Sequence, residues 1–179
     1  MGDTFIVDVS PILGESGATL DIDADVPLCS MSVGDSEVSF STPPHLRAML
    51  ANLGDVILLS GTVETTVRLD CSRCLETFDL PLSGTLDAVI SDTDDPDARN
   101  EDQEWYPLQG GSVDVLPAAE SALRVEMPFA PVHDEACRGI CPTCGCDLNR
   151  DECACEPHAE AHPDSPFASL KDLLPPDRE

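Results

Sequence analysis

Six of the nine cysteines lie between Cys137 and Cys155, in the run C-R-G-I-C-P-T-C-G-C-D-L-N-R-D-E-C-A-C, with His133 just ahead of it. Cys71 and Cys74 form a second group, C-S-R-C, some sixty residues upstream. Thiols this crowded must become disulfides, metal ligands or redox pairs, so they constrain the fold more than any other feature. Nine is an odd number. The N-terminal MGDTFIVDVSPILG lacks a basic segment and carries Asp3 and Asp8, so no signal peptide is expected. No run approaches the roughly 20 apolar residues of a membrane-spanning helix. A cytoplasmic location is therefore expected, and cytoplasmic thiols stay reduced, which turns the reading from disulfides toward metal.

Zinc takes four nitrogen or sulfur ligands at tetrahedral angles, and a C-x-x-C turn sets two thiolates on one edge of that tetrahedron. Cys141-Pro142-Thr143-Cys144-Gly145 is such a turn, and its glycine permits the positive φ that aims backbone N–H groups at sulfur. The preferred grouping is Cys71, Cys74, His133 and Cys137 for one ion and Cys141, Cys144, Cys153 and Cys155 for a second. A rival grouping is a local ribbon of Cys137, Cys141, Cys144 and Cys153, which leaves the upstream pair incomplete. Cys153 and Cys155 are closely spaced for two ligands of one ion, and Cys146 is a possible substitute. Iron–sulfur ligation is the chemical alternative, but His133 does not suit an ordinary four-cysteine cluster. Both sites are full, which points to one or two structural zinc ions rather than a catalytic one with an open position. His158 and His162 lie in a polar tail and read as solvated. Cys29 stands alone and reads as a free thiol.

Around the cysteines the pattern is mostly β. Phe5, Val7 and Val9 alternate with Ile6, Asp8 and Ser10, and Leu20, Ile22, Ala24 and Val26 alternate with Asp21, Asp23 and Asp25. Val63, Thr65, Val67 and Leu69 lead into the C-S-R-C turn, and Phe78, Leu80, Leu82, Leu86, Ala88 and Ile90 follow it on one parity. That predicts a long antiparallel hairpin with Cys71 and Cys74 at its tip, its second strand lying at an edge near Pro81. Helices are predicted after Thr42-Pro43-Pro44, with Leu46, Met49, Leu50 and Leu53 on one face, and from Leu116 to Met127, capped by Asp114. Ser91–Glu104 reads as an acidic mobile insertion, and Phe167, Leu170, Leu173 and Leu174 as a short docking helix. The expected fold class is α+β, a mainly antiparallel sheet with two or three short helices and a small zinc-knuckle-like C-terminal segment. Residues 1–136 would form the α+β domain and residues 137–179 a cysteine-rich, metal-binding tail.

The net charge of −26, from eight Arg, one Lys and 35 acidic residues, argues against direct binding of naked nucleic acid. A basic partner is the complementary expectation. No phosphate-cradling glycine loop and no catalytic constellation accompanies the carboxylates, so an enzyme is not expected.

V-R-L-D-C-S-R-C-L-E-T-F, the segment from Pro128 through His133 to Cys137, G-I-C-P-T-C-G-C-D-L-N and the closing P-F-A-S-L-K-D-L together resemble the bacterial YceD family, named for large ribosomal RNA subunit accumulation. The resemblance runs from about Leu53 onward. It implies a cytoplasmic, non-enzymatic factor for synthesis, processing or stability of large-subunit (23S-type) ribosomal RNA, meeting basic ribosomal protein or a pre-ribosomal particle. Some members carry the first ligand set without the C-P-x-C-G turn, which favours Cys71, Cys74, His133 and Cys137 as a unit. Many have Cys at the place of His133, and Cys146 departs from the family's pattern. Two other readings remain open: a zinc-dependent interaction module unconnected with ribosomes, and a thiol-redox protein using Cys71 and Cys74.

Overall fold

A computed structural model describes residues 4–34, 36–92 and 103–155. In chain order the elements are β1 (Ile6–Asp8), α1 (Ser10–Leu13), β2 (Thr19–Asp25), β3 (Ser30–Val33), β4 (Ser36–Asn52), β5 (Ile57–Asp70), β6 (Thr77–Ser91), β7 (Glu104–Pro107), β8 (Ser112–Asp114) and α2 (Leu116–Val125). One sheet runs β2-β4-β5-β6-β7, with β3 also on β4, and β1 pairs with β8 in a separate two-stranded ribbon. Among the described residues every strand pairing is antiparallel except β6 with β7.

The hairpin read from period-two alternation is the backbone of the molecule. β5 and β6 pair without interruption from Ile57↔Ile90 to Asp70↔Thr77. At about 3.4 Å per residue the arm is roughly 45 Å long. Leu59, Val63 and Val67 from β5 join Leu82, Leu86 and Ile90 from β6 in the core. Pro81 faces Thr66 on β5, while β7 covers β6 only from Ala88 to Ser91, so the missing proline N–H falls on an open edge. β2 carries Asp21, Asp23 and Asp25 outward and buries Ile22. α2 lies across β6 and β5, burying Leu116, Ala118, Ala119, Ala122 and Leu123. Asp114 Oδ1 accepts the Leu116 N–H at 3.1 Å and the Phe5 N–H at 2.9 Å, tying the helix start to the N-terminal strand.

The helix predicted after Thr42-Pro43-Pro44 is a strand instead. Leu46, Ala48 and Leu50 point into the core while Met49 is 40% exposed, an alternation of period two. Residues four apart share a face in either conformation, so Leu46 and Leu50 fit both readings. Cross-strand pairing with β2 and β5 decides for the strand. The prolines sit where the β4–β5 register shifts, between Phe40 and His45. There Thr42 Oγ1 accepts the Thr66 N–H at 3.0 Å and Thr65 Oγ1 donates to Thr42 O at 2.7 Å, side chains standing in for ladder bonds. The docking helix expected around Phe167–Leu174, His158, His162 and most of the acidic insertion lie outside the described residues.

Candidate metal centre

Two copies of one backbone turn organise the site. In the first, Cys71 N donates to Glu76 O and Leu75 N to Cys71 O, both at 2.9 Å. In the second, Cys141 N donates to Cys146 O and Gly145 N to Cys141 O, both at 2.8 Å. Leu75 and Gly145, each following the second cysteine, have φ of 63° and 75°. The N–H groups of Arg73 and Cys74 point at the Cys71 sulfur, as those of Thr143 and Cys144 point at Cys141. The Glu76 and Cys146 N–H groups do the same for Cys74 and Cys144. Each turn therefore presents two sulfurs in a nest of amide dipoles suited to negative charge.

At the hairpin tip, one ligand atom from each of Cys71, Cys74, His133 and Cys137 lies within 4.8 Å of the others. Cys71 and Cys137 Sγ are 3.9 Å apart, and Cys74 Sγ is 3.4 Å from His133 Nδ1. Tetrahedral ligation at about 2.3 Å to sulfur requires roughly 3.8 Å between sulfurs, so the set is on the scale of a single ion. Cys71 and Cys137 are buried, and Ser72 N holds the incoming loop through Pro131 O at 2.8 Å. Burial works to raise the Cys71 thiol, but the His133, Arg73 and Cys74 N–H groups and the imidazole overcome it and bring it to about 5. Cys74 behaves oppositely. The Glu76 N–H favours its thiolate, yet burial and the neighbouring Cys137 and Cys71 sulfurs push it up to about 11. Contact with Cys71 holds the His133 imidazole above its ordinary value. One thiolate forms readily and the next resists it. A cation is what relieves such crowding.

The second cluster gathers Cys141, Cys144, Cys146 and Cys153, again within 4.8 Å. Cys153 Sγ lies 3.4 Å from Cys141 and 3.6 Å from Cys144, and Cys144 is 3.4 Å from Cys146. Cys146 thus occupies the fourth place expected of Cys155. The turn reverses the chain directly after Cys144, which brings Cys146 back over the site, while Cys155 lies against Cys153 and Cys144 with its N–H on Cys153 Sγ at 3.4 Å. The N–H groups of Cys144 and Thr143, with the Cys153 thiol, bring Cys141 down to about 6. Contact with Cys144 pushes Cys146 up to about 12, and contact with Cys153 and Cys144 does the same to Cys155. Cys137 lies with the hairpin pair and not with this group, while Cys29 is exposed and belongs to neither.

Sequence reasoning missed the residues around the ligands. Asn149 Nδ2 donates to Cys137 Sγ at 3.4 Å, Glu76 Oε2 lies 4.0 Å from His133 Nε2, and Arg150 pairs with Glu76 at 2.8 Å. Nothing in their spacing marks them. The signal in the sequence that could have found the repeated turn is the C-x-x-C spacing shared by Cys71–Cys74 and Cys141–Cys144.

Fold and site together define a mostly antiparallel-sheet protein with a Cys/His cluster at the tip of the β5–β6 hairpin and an all-cysteine cluster beside it, both able to hold metal ions. The family profile described as "Large ribosomal RNA subunit accumulation protein YceD" matches residues 59–174, and the chain belongs to that family. The match spans the β5–β6 hairpin and both clusters. An uncharacterised protein of Mycobacterium leprae is 25% identical over 96% of this chain and 78% of its own length. One from Mycobacterium tuberculosis is 27% identical over 75% of this chain and 63% of its own. A chloroplastic large ribosomal RNA subunit accumulation protein YCED homolog 1 of Arabidopsis thaliana is 21% identical over 74% of this chain and 50% of its own. No solved structure matches the chain. Among the described residues no helix is long and apolar enough to cross a membrane.

Proposed function

We propose that this protein is a non-enzymatic, zinc-stapled cytoplasmic factor that supports synthesis, processing or stability of large-subunit ribosomal RNA. The observation that carries this reading is the family match over residues 59–174, the stretch that contains both clusters. Three thiols with one imidazole, and four thiols, are donor sets suited to zinc, and their convergence within 4.8 Å suits a single ion in each. Cys71, Cys74, His133 and Cys137 would hold the first, and Cys141, Cys144, Cys146 and Cys153 the second. Bound zinc would supply cross-linking, not chemistry: it would pin the loop after α2 to the hairpin tip and close the Cys141–Cys153 segment.

A scaffold role also fits the surroundings. Cys71 is fully buried, which closes it to thiol exchange with another molecule. A cleft of about 480 Å³ beside β1, β7 and β8 has Asp114 as its one carboxylate, and that oxygen already accepts two amides. The −26 charge and the outward aspartates of β2 favour basic ribosomal protein or a pre-ribosomal particle over bare RNA. Deleting the gene should lower large-subunit RNA relative to small-subunit RNA and shift the subunit profile on a sucrose gradient. An unchanged profile would instead favour a zinc-dependent interaction module outside ribosome assembly. Tight, salt-sensitive gel shifts with bare ribosomal RNA would overturn the choice of partner.

A further inference from the structure

Part of the outer shell of the first cluster comes from the segment that carries the second. Arg73, inside the first turn, donates Nη1 to the Glu135 and Cys137 carbonyls at 2.9 Å each, and its own carbonyl accepts the Ile140 N–H at 3.0 Å. Gly139 lies so close beneath it that a Cβ there would meet Arg73 O at 2.9 Å. Asn149 stands between Cys146 and Cys153. It grips Cys137 from both sides, Nδ2 on the sulfur at 3.4 Å and Oδ1 accepting the Arg138 N–H at 2.7 Å. Arg150 then holds Glu76 at 2.8 Å, and the other Glu76 oxygen faces His133 Nε2 at 4.0 Å.

These contacts end on ligand side chains. An N–H on a thiolate fixes its direction, and a carboxylate 4.0 Å from the free imidazole nitrogen acts on the ring through its charge. Of the ligands supplied by the loop after α2, Cys137 is held by Asn149 directly, and His133 faces the charge of Glu76, which Arg150 positions. Asn149 and Arg150 in turn ride on the segment Asp147-Leu148-Asn149-Arg150-Asp151-Glu152, which has a single apolar side chain and is closed by cysteines at both ends.

We propose that the second centre sets the affinity of the first: a metal ion on Cys141, Cys144, Cys146 and Cys153 fixes Asn149 and Arg150, and these complete the outer shell of the Cys71/Cys74/His133/Cys137 centre. The inference rests on the metal-binding reading above. Coupling of this kind is reciprocal, so filling the first centre tightens the second by the same factor.

The experiment titrates the full apo-protein with Co²⁺, whose ligand-field bands separate a three-sulfur, one-nitrogen centre from a four-sulfur one, and then displaces it with zinc against a competing chelator. In Cys141→Ser/Cys144→Ser the first centre should bind roughly 10- to 100-fold more weakly than in the native protein, the range seen when outer-shell partners are removed. The second centre should lose the same factor in Cys71→Ser/Cys74→Ser. Asn149→Asp keeps the oxygen that accepts the Arg138 N–H but turns a carboxylate toward sulfur. It should weaken the first centre to a like extent; because Nδ2 also donates to Asp147 Oδ1 at 2.8 Å within the second loop, the second centre is measured alone in the Cys71→Ser/Cys74→Ser background and should lose less than the first. Should the double-cysteine variants fail to fold, the filling of the native protein decides: coupled centres fill cooperatively as cobalt is added, and independent filling would overturn the coupling. Two cobalt ions bound with affinities indifferent to the other centre and to Asn149 would overturn the coupling and leave the metal centres standing. No cobalt at either centre would overturn both.

Discussion

Leu75 and Gly145 hold the same place in two copies of one turn, at φ 63° and 75°, each with its N–H on the carbonyl of the cysteine four residues before it. Only one of them suits that conformation. A left-handed residue with a Cβ costs about 1–2 kcal/mol, and Leu75 recovers little by burial because it is 67% exposed. Leu75→Gly should therefore be neutral or stabilising by up to about 1 kcal/mol, the gain being limited by the greater freedom of glycine in the unfolded chain. Gly145→Leu should destabilise its turn by about 1–2 kcal/mol. Urea midpoints of the two variants with zinc present measure the difference, and equal losses would mean that the turns are not equivalent.

Metal content separates Cys146 from Cys155. Cys146→Ser should cost one equivalent of bound zinc and Cys155→Ser none, because Cys146 completes the set within 4.8 Å of Cys141, Cys144 and Cys153, whereas Cys155 contacts only Cys153 and Cys144. Elemental analysis of the purified variants checks this, and a lost equivalent in Cys155→Ser alone would restore the grouping expected from spacing.

Chelation should open the molecule from one end. Zinc binding in such segments contributes directly to folding free energy, and residues 133–155 contribute few side chains to the core. Hydrogen exchange after metal removal should accelerate there and at the Cys71–Cys74 turn first, with the β4–β5–β6 core protected longest. Uniform acceleration across the sheet would contradict a local staple.

His45 links stability to pH on the open face of the sheet. Its Nδ1 lies 2.7 Å from Asp25 and its Nε2 2.8 Å from Asp23, so both nitrogens donate only when the ring is charged. Asp25 is the main cause of its raised pKa. A folded pKa above the unfolded one gives stability that is complete below the unfolded value and lost as pH rises through the folded value. The stability difference between the native protein and His45→Gln should shrink as pH is raised from about 6 to about 9. Histidine NMR titration supplies the folded pKa, and a value at or below that of a free imidazole would remove the effect.

The strand nature of β4 is testable by side-chain deletion. Leu46 is wholly buried, and Leu46→Ala should cost about 2–5 kcal/mol. Met49, 40% exposed on the other face, should cost less than about 1 kcal/mol on truncation. A shared helical face would make the two costs similar.

That pair of residues also shows where reading from sequence stopped. The hairpin was legible because Val63, Val67 and Leu69 and then Leu80, Leu82 and Leu86 keep one parity on either side of a turn. Leu46 and Leu50 are four apart, a spacing both periods satisfy, and the cross-strand partners that decide between them are long-range. The same holds for β1, whose partner β8 lies more than a hundred residues away. At the clusters, residue type located the donors, but thiols are chemically alike, so spacing alone did not choose between Cys146 and Cys155. Asn149, Glu76 and Arg150 are ordinary surface residues until the fold brings the two turns together.

The first centre is divided in the chain, with Cys71 and Cys74 on the hairpin and His133 and Cys137 beyond α2. During translation, at roughly 5–20 residues per second, the half-site on the hairpin waits about 3–13 s for its other half. For that interval the nascent chain holds Cys71 and Cys74 without the His133 and Cys137 donors that complete the centre. The second centre, contained within Cys141–Cys153, has no comparable wait and can load almost as soon as it is made.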